Sequence, residues 1–167
     1  MSKTRSTRPL VRVEDRPEQA PVRHPLNPKS EMHYVSLGDT AGLERMGVHL
    51  IRLAPGKESC VYHTHTNEEE WLFILAGRGV AEIDGREYPV APGDFMGFPT
   101  PSVGHHLRND GDDDLVYLVG GERREIEIAE FPRLGKVVIR TGQVTDVVDV
   151  EHLERIWPPT EPPGEEV

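Results

Sequence analysis

The feature that most restricts this chain is its punctuation. Between residues 32 and 150 no long stretch repeats apolar residues at the roughly 3.6-residue period of a helix. Short runs of β-type residues follow one another instead: MHYVSL (32–37), MGVHLIRL (46–53), SCVYHTH (59–65), EWLFILA (70–76), GVAEI (79–83), REYPV (86–90), DFMGF (94–98), HHLRN (105–109), DLVYLV (114–119), KVVIR (136–140) and VTDVVDV (144–150). The breaks carry turn chemistry: Ala-Pro-Gly at 54–56, Ala-Gly-Arg-Gly at 76–79, Asp-Gly at 84–85, Ala-Pro-Gly-Asp at 91–94 and Asn-Asp-Gly at 109–111. AEIDGREYPV predicts a hairpin with Asp84-Gly85 at its tip. Strands about ten residues apart, with helix almost absent, predict an all-β sandwich or small barrel. One short helix is expected at VEHLERI (150–156), stopped by Pro158.

The flanks differ from this centre. Residues 1–30 hold Pro9, Pro17, Pro21, Pro25 and Pro28 and read as an extended N-terminal arm. Residues 31–157 form the expected β-domain, and the proline- and acid-rich 158–167 are expected to be disordered. The net charge of −10 is unevenly placed. The arm has seven Lys or Arg against three acids, which leaves 12 basic against 26 acidic residues for the rest. So acidic a domain repels phosphates, so no nucleic-acid partner is expected, and no DNA-binding helical segment is seen before the barrel. The basic arm is expected to pack locally or on a second subunit. No apolar run approaches the ~20 residues of a membrane span, and the basic start lacks the apolar core of a secretory signal. Cys60 is the single cysteine, which rules out an intramolecular disulfide and fits a reducing cytoplasm.

The chemistry concentrates in YHTHTNEEEWLFILAG (62–77). His63 and His65 lie two apart on a strand-like segment and so share a face. A rigid strand presents two imidazoles to a first-row metal in this way. A carboxylate from the next strand and a further histidine, His105 or His106, would extend the set to four. Glutamates are poor strand formers and costly to bury unpaired, so three of them ahead of WLFIL need a reason. Parity puts Glu70 with Leu72 and Ile74, and Glu69 with Trp71 and Phe73. Both faces are apolar, so parity alone leaves the inner face open.

This stretch resembles the first motif of the cupin superfamily: glycine, five residues, H-x-H, three or four residues, E, six residues, glycine. Here Gly56, His63, His65, Glu70 and Gly77 match it, with one extra residue before His63. The second motif is matched by Pro99, His105 and Asn109, with one residue too many between proline and histidine and no glycine in its P-x-G step. The resemblance covers about residues 46–120 and is closest to small single-domain bacterial cupins of the mannose-6-phosphate-isomerase-like or oxalate-decarboxylase-like type. It implies a double-stranded β-helix, a jelly-roll barrel, with one divalent transition metal per chain inside its mouth. The ligands it implies are His63, His65, Glu70 and His105, with Glu69 the runner-up and His106 pointing away. Glu68 and Glu69 are then expected to be solvated turn residues.

Three imidazoles and a carboxylate would leave one or two octahedral positions open, and mixed N/O ligation suits Mn, Fe, Ni, Co or Zn without choosing among them. Cys60, of opposite parity to His63, is expected to be a small buried hydrophobe rather than a ligand. Candidates for an acid/base or substrate clamp are His49, Arg52, Tyr62, Tyr88, Arg108 and Tyr117. The expected activity is binding of a small polar or oxyanionic metabolite, a carboxylate or sugar acid, with isomerisation, decarboxylation or oxygenation at the metal. The alternative is a non-catalytic, metal-containing binding or sensor module. A homodimer is expected, with residues 9–37 as an arm that adds a strand to a neighbour's sheet edge.

Overall fold

The structure, a computed structural model, describes residues 9–16, 20–154 and 156. The tail 158–167 and the first eight residues of the arm lie outside the described residues. In chain order the elements are β1 (His33–Ser36), α1 (Leu37–Ala41), β2 (Met46–Leu53), β3 (Thr64–His65), β4 (Glu70–Ala76), β5 (Gly79–Ile83), β6 (Arg86–Val90), β7 (Phe95–Phe98), β8 (His105–Arg108), β9 (Leu115–Glu122), β10 (Ile126–Phe131), β11 (Lys136–Thr141) and β12 (Val144–Asp149). One sheet runs β1-β2-β9-β4-β7, a second β12-β11-β10-β3 and a third β6-β5-β8. An antiparallel bridge between His63 and His105 ties the second to the third. The fold is all-β, with strands far apart in sequence paired side by side.

The core shows how these sheets pack. Ile51, Leu53, Leu72, Ile74, Met96, Phe98, Leu115 and Tyr117 from the five-stranded sheet meet Ala81, Val90 and Leu107 from the three-stranded one. Along β4 the burial alternates, with Leu72 and Ile74 inside. That settles the face sequence parity left open, because Glu70 shares it. Trp71, on the opposite face, lies over Gly120, where a Cβ would come within 2.3 Å of the indole, and it stacks on Phe95. The outer apolar stripe of WLFIL is thus an aromatic cover over a glycine. The Asp84-Gly85 turn is the expected hairpin tip: both residues have positive φ (50° and 71°), and Ile83 pairs with Arg86.

Several expectations are corrected. Among the described residues of 150–156 no α-helix forms: they make a 3₁₀ turn, Val150–His152, and Leu153 is extended. Val150, Leu153 and Ile156 are exposed, so no buried apolar face holds a helix that short. A one-turn helix appears instead at α1, where Ser36 caps the start and Gly42 ends it at φ 85°. Of SCVYHTH only Thr64–His65 is a strand, because residues 59–63 touch β8 just at Ser59–Leu107 and His63–His105.

Strand β10 was not expected. IEIAEF does alternate, but with Glu127, Ala129 and Phe131 buried and Ile126 exposed, which inverts the usual pattern around an acid. Residues 33–36, expected to reach a neighbour's sheet edge, pair with β2 of the same chain. Just before them Ser30 is fully buried and donates to the Ser59 carbonyl at 2.6 Å.

Candidate metal centre

Four side chains from three parts of the fold meet at one end of the core. His63 and His65 come from the segment leading into and through β3, Glu70 opens β4, and His105 opens β8. One ligand atom from each lies within 4.8 Å of all the others. Register brings them together. Phe98 pairs with Glu70 across β4 and β7, and the Phe98 ring stacks on His105 at 3.7 Å and 8°. His105 in turn bridges to His63. Ser102 clamps His65 from both sides, its hydroxyl accepting from the His65 amide (2.7 Å) and its own amide donating to the His65 carbonyl (2.8 Å).

The hydrogen bonds on the far ring nitrogens decide what the near ones offer. His63 Nδ1 lies 2.9 Å from the Val61 carbonyl, and His105 Nδ1 lies 3.0 Å from that of Val103. A carbonyl only accepts, so both Nδ1 atoms carry a hydrogen, which in a neutral imidazole leaves Nε2 as the atom free to ligate. His65 Nδ1 faces Glu127 Oε1 at 3.2 Å. Glu127 also accepts the Thr66 and Asn67 amides, one on each oxygen, so it too serves as acceptor. The His65 Nε2 lone pair therefore points at the His63 Nε2 lone pair across 3.0 Å, and His105 Nε2 meets Glu70 Oε2 at 2.9 Å.

Lone pairs so placed repel unless a proton or a metal ion lies between them. The spacing suits a metal ion: nitrogens bound cis at a metal–nitrogen distance of about 2.1 Å sit roughly 3 Å apart, and trans ones about 4.2 Å. Together with Glu70 Oε2, 3.9 Å from His65 Nε2, the four atoms make a set that could hold one transition-metal ion. Burial, reinforced by His63, pushes the His65 imidazole down to about 4, so it is neutral and ready to ligate at physiological pH. Burial pushes the Glu70 carboxyl up, but without a metal a hydrogen bond from a protonated His105 Nε2, with the charge that protonated His63 and His65 would add, outweighs it, and Glu70 ends below the usual carboxylate range.

The other candidates sort by side. His106 is buried on the outer face, 3.3 Å from Glu82 and edge-on to Tyr62. Glu69 is exposed. Glu68 is not the solvated turn residue expected: it accepts from the Arg124 amide at 2.6 Å and pairs with Arg140. The reason is β10, whose approach brings those two partners over the turn. Arg52 pairs with Asp114 and Arg108 with Glu87, while Arg133 covers Tyr62 and Tyr88 is exposed. His49 lines the mouth beside His65 and Glu70, and Tyr117 lines the cavity beside His63 and His105. Cys60 Sγ sits 3.3 Å from His63 Nδ1, and burial holds its thiol up at about 12. It stays protonated, as a non-ligand would.

Two spaces adjoin the cluster. An inner cavity of about 140 Å³ is bounded by His63, Glu70, His105, Cys60, Ser59, His106 and Tyr117 together with apolar residues. An open mouth of about 400 Å³ is bounded by His65, Glu70, His49, Arg123 and Arg140 among others. Sequence reasoning missed Glu127, Arg123 and Arg140. The alternation in β10 was the available signal for Glu127; none marked the two arginines, whose neighbours are set by strand pairing.

The Cupin domain family profile matches residues 49–121. A crystal structure from Acidithiobacillus ferrooxidans, provisionally described as a sugar phosphate isomerase, superposes with a TM-score of 0.85 at 37% identity, over 90% of this chain and 97% of that one. A sugar phosphate isomerase from a cupin superfamily, from Silicibacter pomeroyi, gives a TM-score of 0.78 at 27% identity, over 86% of this chain and 94% of that one. The chain is also 35% identical over 68 residues to an oxalate-binding protein of Thermotoga maritima, a match that takes in 41% of this chain and 54% of that relative.

Proposed function

This chain belongs to the cupin superfamily, and from that premise we propose that it holds one divalent transition metal on His63, His65, Glu70 and His105 and there binds a small oxyanionic metabolite, a carboxylate or sugar acid. The observation that carries this is the convergence of three Nε2 atoms, each free to ligate in the neutral imidazole, and one carboxylate oxygen, with each imidazole held in that tautomer by a bond at Nδ1. Bound there, such an ion supplies Lewis acidity toward substrate oxygens and lowers the pKa of bound water.

The chain's own residues supply the rest. Glu127 fixes the His65 ring, and Phe98 holds His105 by stacking. His49, its imidazole lowered first by burial and then by Arg123, is a neutral base at the rim of the mouth. That arrangement suits isomerisation, decarboxylation or oxygenation of the bound metabolite. The two relatives described as sugar phosphate isomerases support turnover, and the oxalate-binding relative supports the second reading, a binding module without turnover. The same proposal takes the protein as a cytoplasmic homodimer, which light scattering tests.

Metal analysis of untagged protein is expected to find about one equivalent per chain. His63→Ala and His105→Ala each lose it, while Glu69→Gln keeps it. Unchanged metal in both histidine variants overturns the assignment. A screen of carboxylates and sugar acids, read once by turnover and once by melting temperature, separates enzyme from binder.

A further inference from the structure

One guanidinium at the mouth is only half used. Arg123 follows β9, and its Nη1 donates to Asp39 Oδ1 at 2.6 Å, with Asp39 held in turn by the Ser36 hydroxyl at 2.7 Å. Its Nε and Nη2 have no acceptor among the described residues. They form the edge of the fork that takes a carboxylate or phosphate with two parallel bonds. That edge faces Gly47: a Cβ there would lie 3.5 Å from Nε and 3.7 Å from Nη2, and 3.1 Å from His49 Nε2. The glycine therefore leaves a cradle that any side chain would fill. His49 completes it, since its Nε2 is the atom nearest that Cβ position and its ring lines the mouth.

The acids on the same wall do not cancel this charge. Glu68 is paired with Arg140 and Glu122 with Arg124, which leaves Glu69 at the solvent rim. The mouth, about 400 Å³, runs without interruption from Glu70 and His65 to Arg123. It is of a size that holds a small molecule.

We infer that the ligand carries two polar ends, an oxygen pair for the metal and a distal oxyanion, carboxylate or phosphate, that Arg123 and His49 read across the Gly47 cradle. This rests on the proposed metal site and narrows its substrate class. A two-carbon diacid spends both ends on the metal and leaves the cradle empty. A hydroxy or keto acid, or a sugar derivative, with a second charged group further along fills both.

The test is calorimetric titration of metal-loaded protein with four 2-hydroxy acids. Malate has a distal carboxylate and 3-phosphoglycerate a distal phosphate; lactate and glycerate have neither. Wild type is expected to bind malate or 3-phosphoglycerate at least about ten-fold tighter than its counterpart without the distal charge (lactate or glycerate), the value of one charge-assisted fork. Which of the two wins identifies the distal group. Arg123→Gln and, independently, Gly47→Ala bring that ratio close to one while metal content stays that of wild type. Gly47 has no positive φ, so its alanine variant is a fair test of the cradle should the arginine variant fold poorly. A ratio near one in wild type, no binding of any of the four to metal-loaded protein, or a ratio retained in both variants overturns the inference and leaves the metal site standing. Protein that retains no metal overturns the metal site itself.

Discussion

Three glutamates stand in a row at 68–70, and each has a different fate. Glu70 turns inward with Leu72 and Ile74, Glu69 stays in solvent, and Glu68 is held by an ion pair with Arg140 of β11 and the Arg124 amide. Spacing and resemblance pointed to Glu70, but nothing local distinguished Glu68 from Glu69, because the partners of Glu68 lie 56 and 72 residues on. Glu127 is the clearest omission at this scale. It is 4% exposed, with both carboxylate oxygens accepting backbone amides and one also holding His65 Nδ1. Removing the partner that orients a metal-binding histidine costs about 10- to 100-fold in metal affinity. Glu127→Ala is therefore expected to weaken metal binding by that factor, read by competition with a chelator of known affinity. Affinity equal to wild type would show that Ser102 alone positions His65.

At the scale of elements, the turns were the most legible and the strands with acids inside the least. The Asp84-Gly85 hairpin could be read because a two-residue turn demands positive φ from both residues, and that demand is local. A Cβ at Gly85 would meet nothing within 4 Å, so Gly85→Ala costs only the left-handed backbone, about 1–2 kcal/mol. Urea unfolding is expected to show that loss with no change in metal content. A larger loss would mean the β5–β6 hairpin carries more of the barrel than its edge position suggests. Strand β10 escaped because its inward face reads Glu-Ala-Phe, and alternation is normally recognised by apolar residues inside. The failed helix at 150–156 is the converse: a helical pattern with nothing to bury it against.

For the whole molecule, burial of histidines sets the response to acid. Burial lowers the imidazoles of His24, His49, His65 and His106 below 6.5, His65 to about 4. Below pH 6.5 the unfolded chain takes up protons on these groups that the folded chain refuses, so stability falls as the pH falls. For His65 alone the loss, complete near pH 4, is of order 3 kcal/mol. Glu70, held below the usual carboxylate range, adds a loss of the same sign at lower pH. Glu127, raised by burial, works the other way, since its protonation in acid relieves a buried charge. Four lowered imidazoles outweigh one raised carboxyl. The urea midpoint of metal-free protein is expected to drop steadily between pH 6.5 and 4.5, and added metal to move the drop to lower pH by competing with protons for the same nitrogens. A flat midpoint across that window would mean the histidines are not buried neutral.

The sequence by itself determined the β-class, the turn positions and the pairing of His63 with His65 on one face, while resemblance to a family motif added Glu70 and His105. Turn residues and the His63–His65 pair are local: turns act through their own φ, and strand parity places side chains two apart on one face. Only the tertiary structure decided which face of β4 is inside, that Glu68 is paired, that Glu127 stands behind His65, and that Arg123 opens half its guanidinium onto a glycine beside the mouth. The last three depend on partners some 60 to 85 residues away in the chain. A sheet pairs such segments through backbone hydrogen bonds that any sequence makes, so the pairing leaves little trace in the residues it joins.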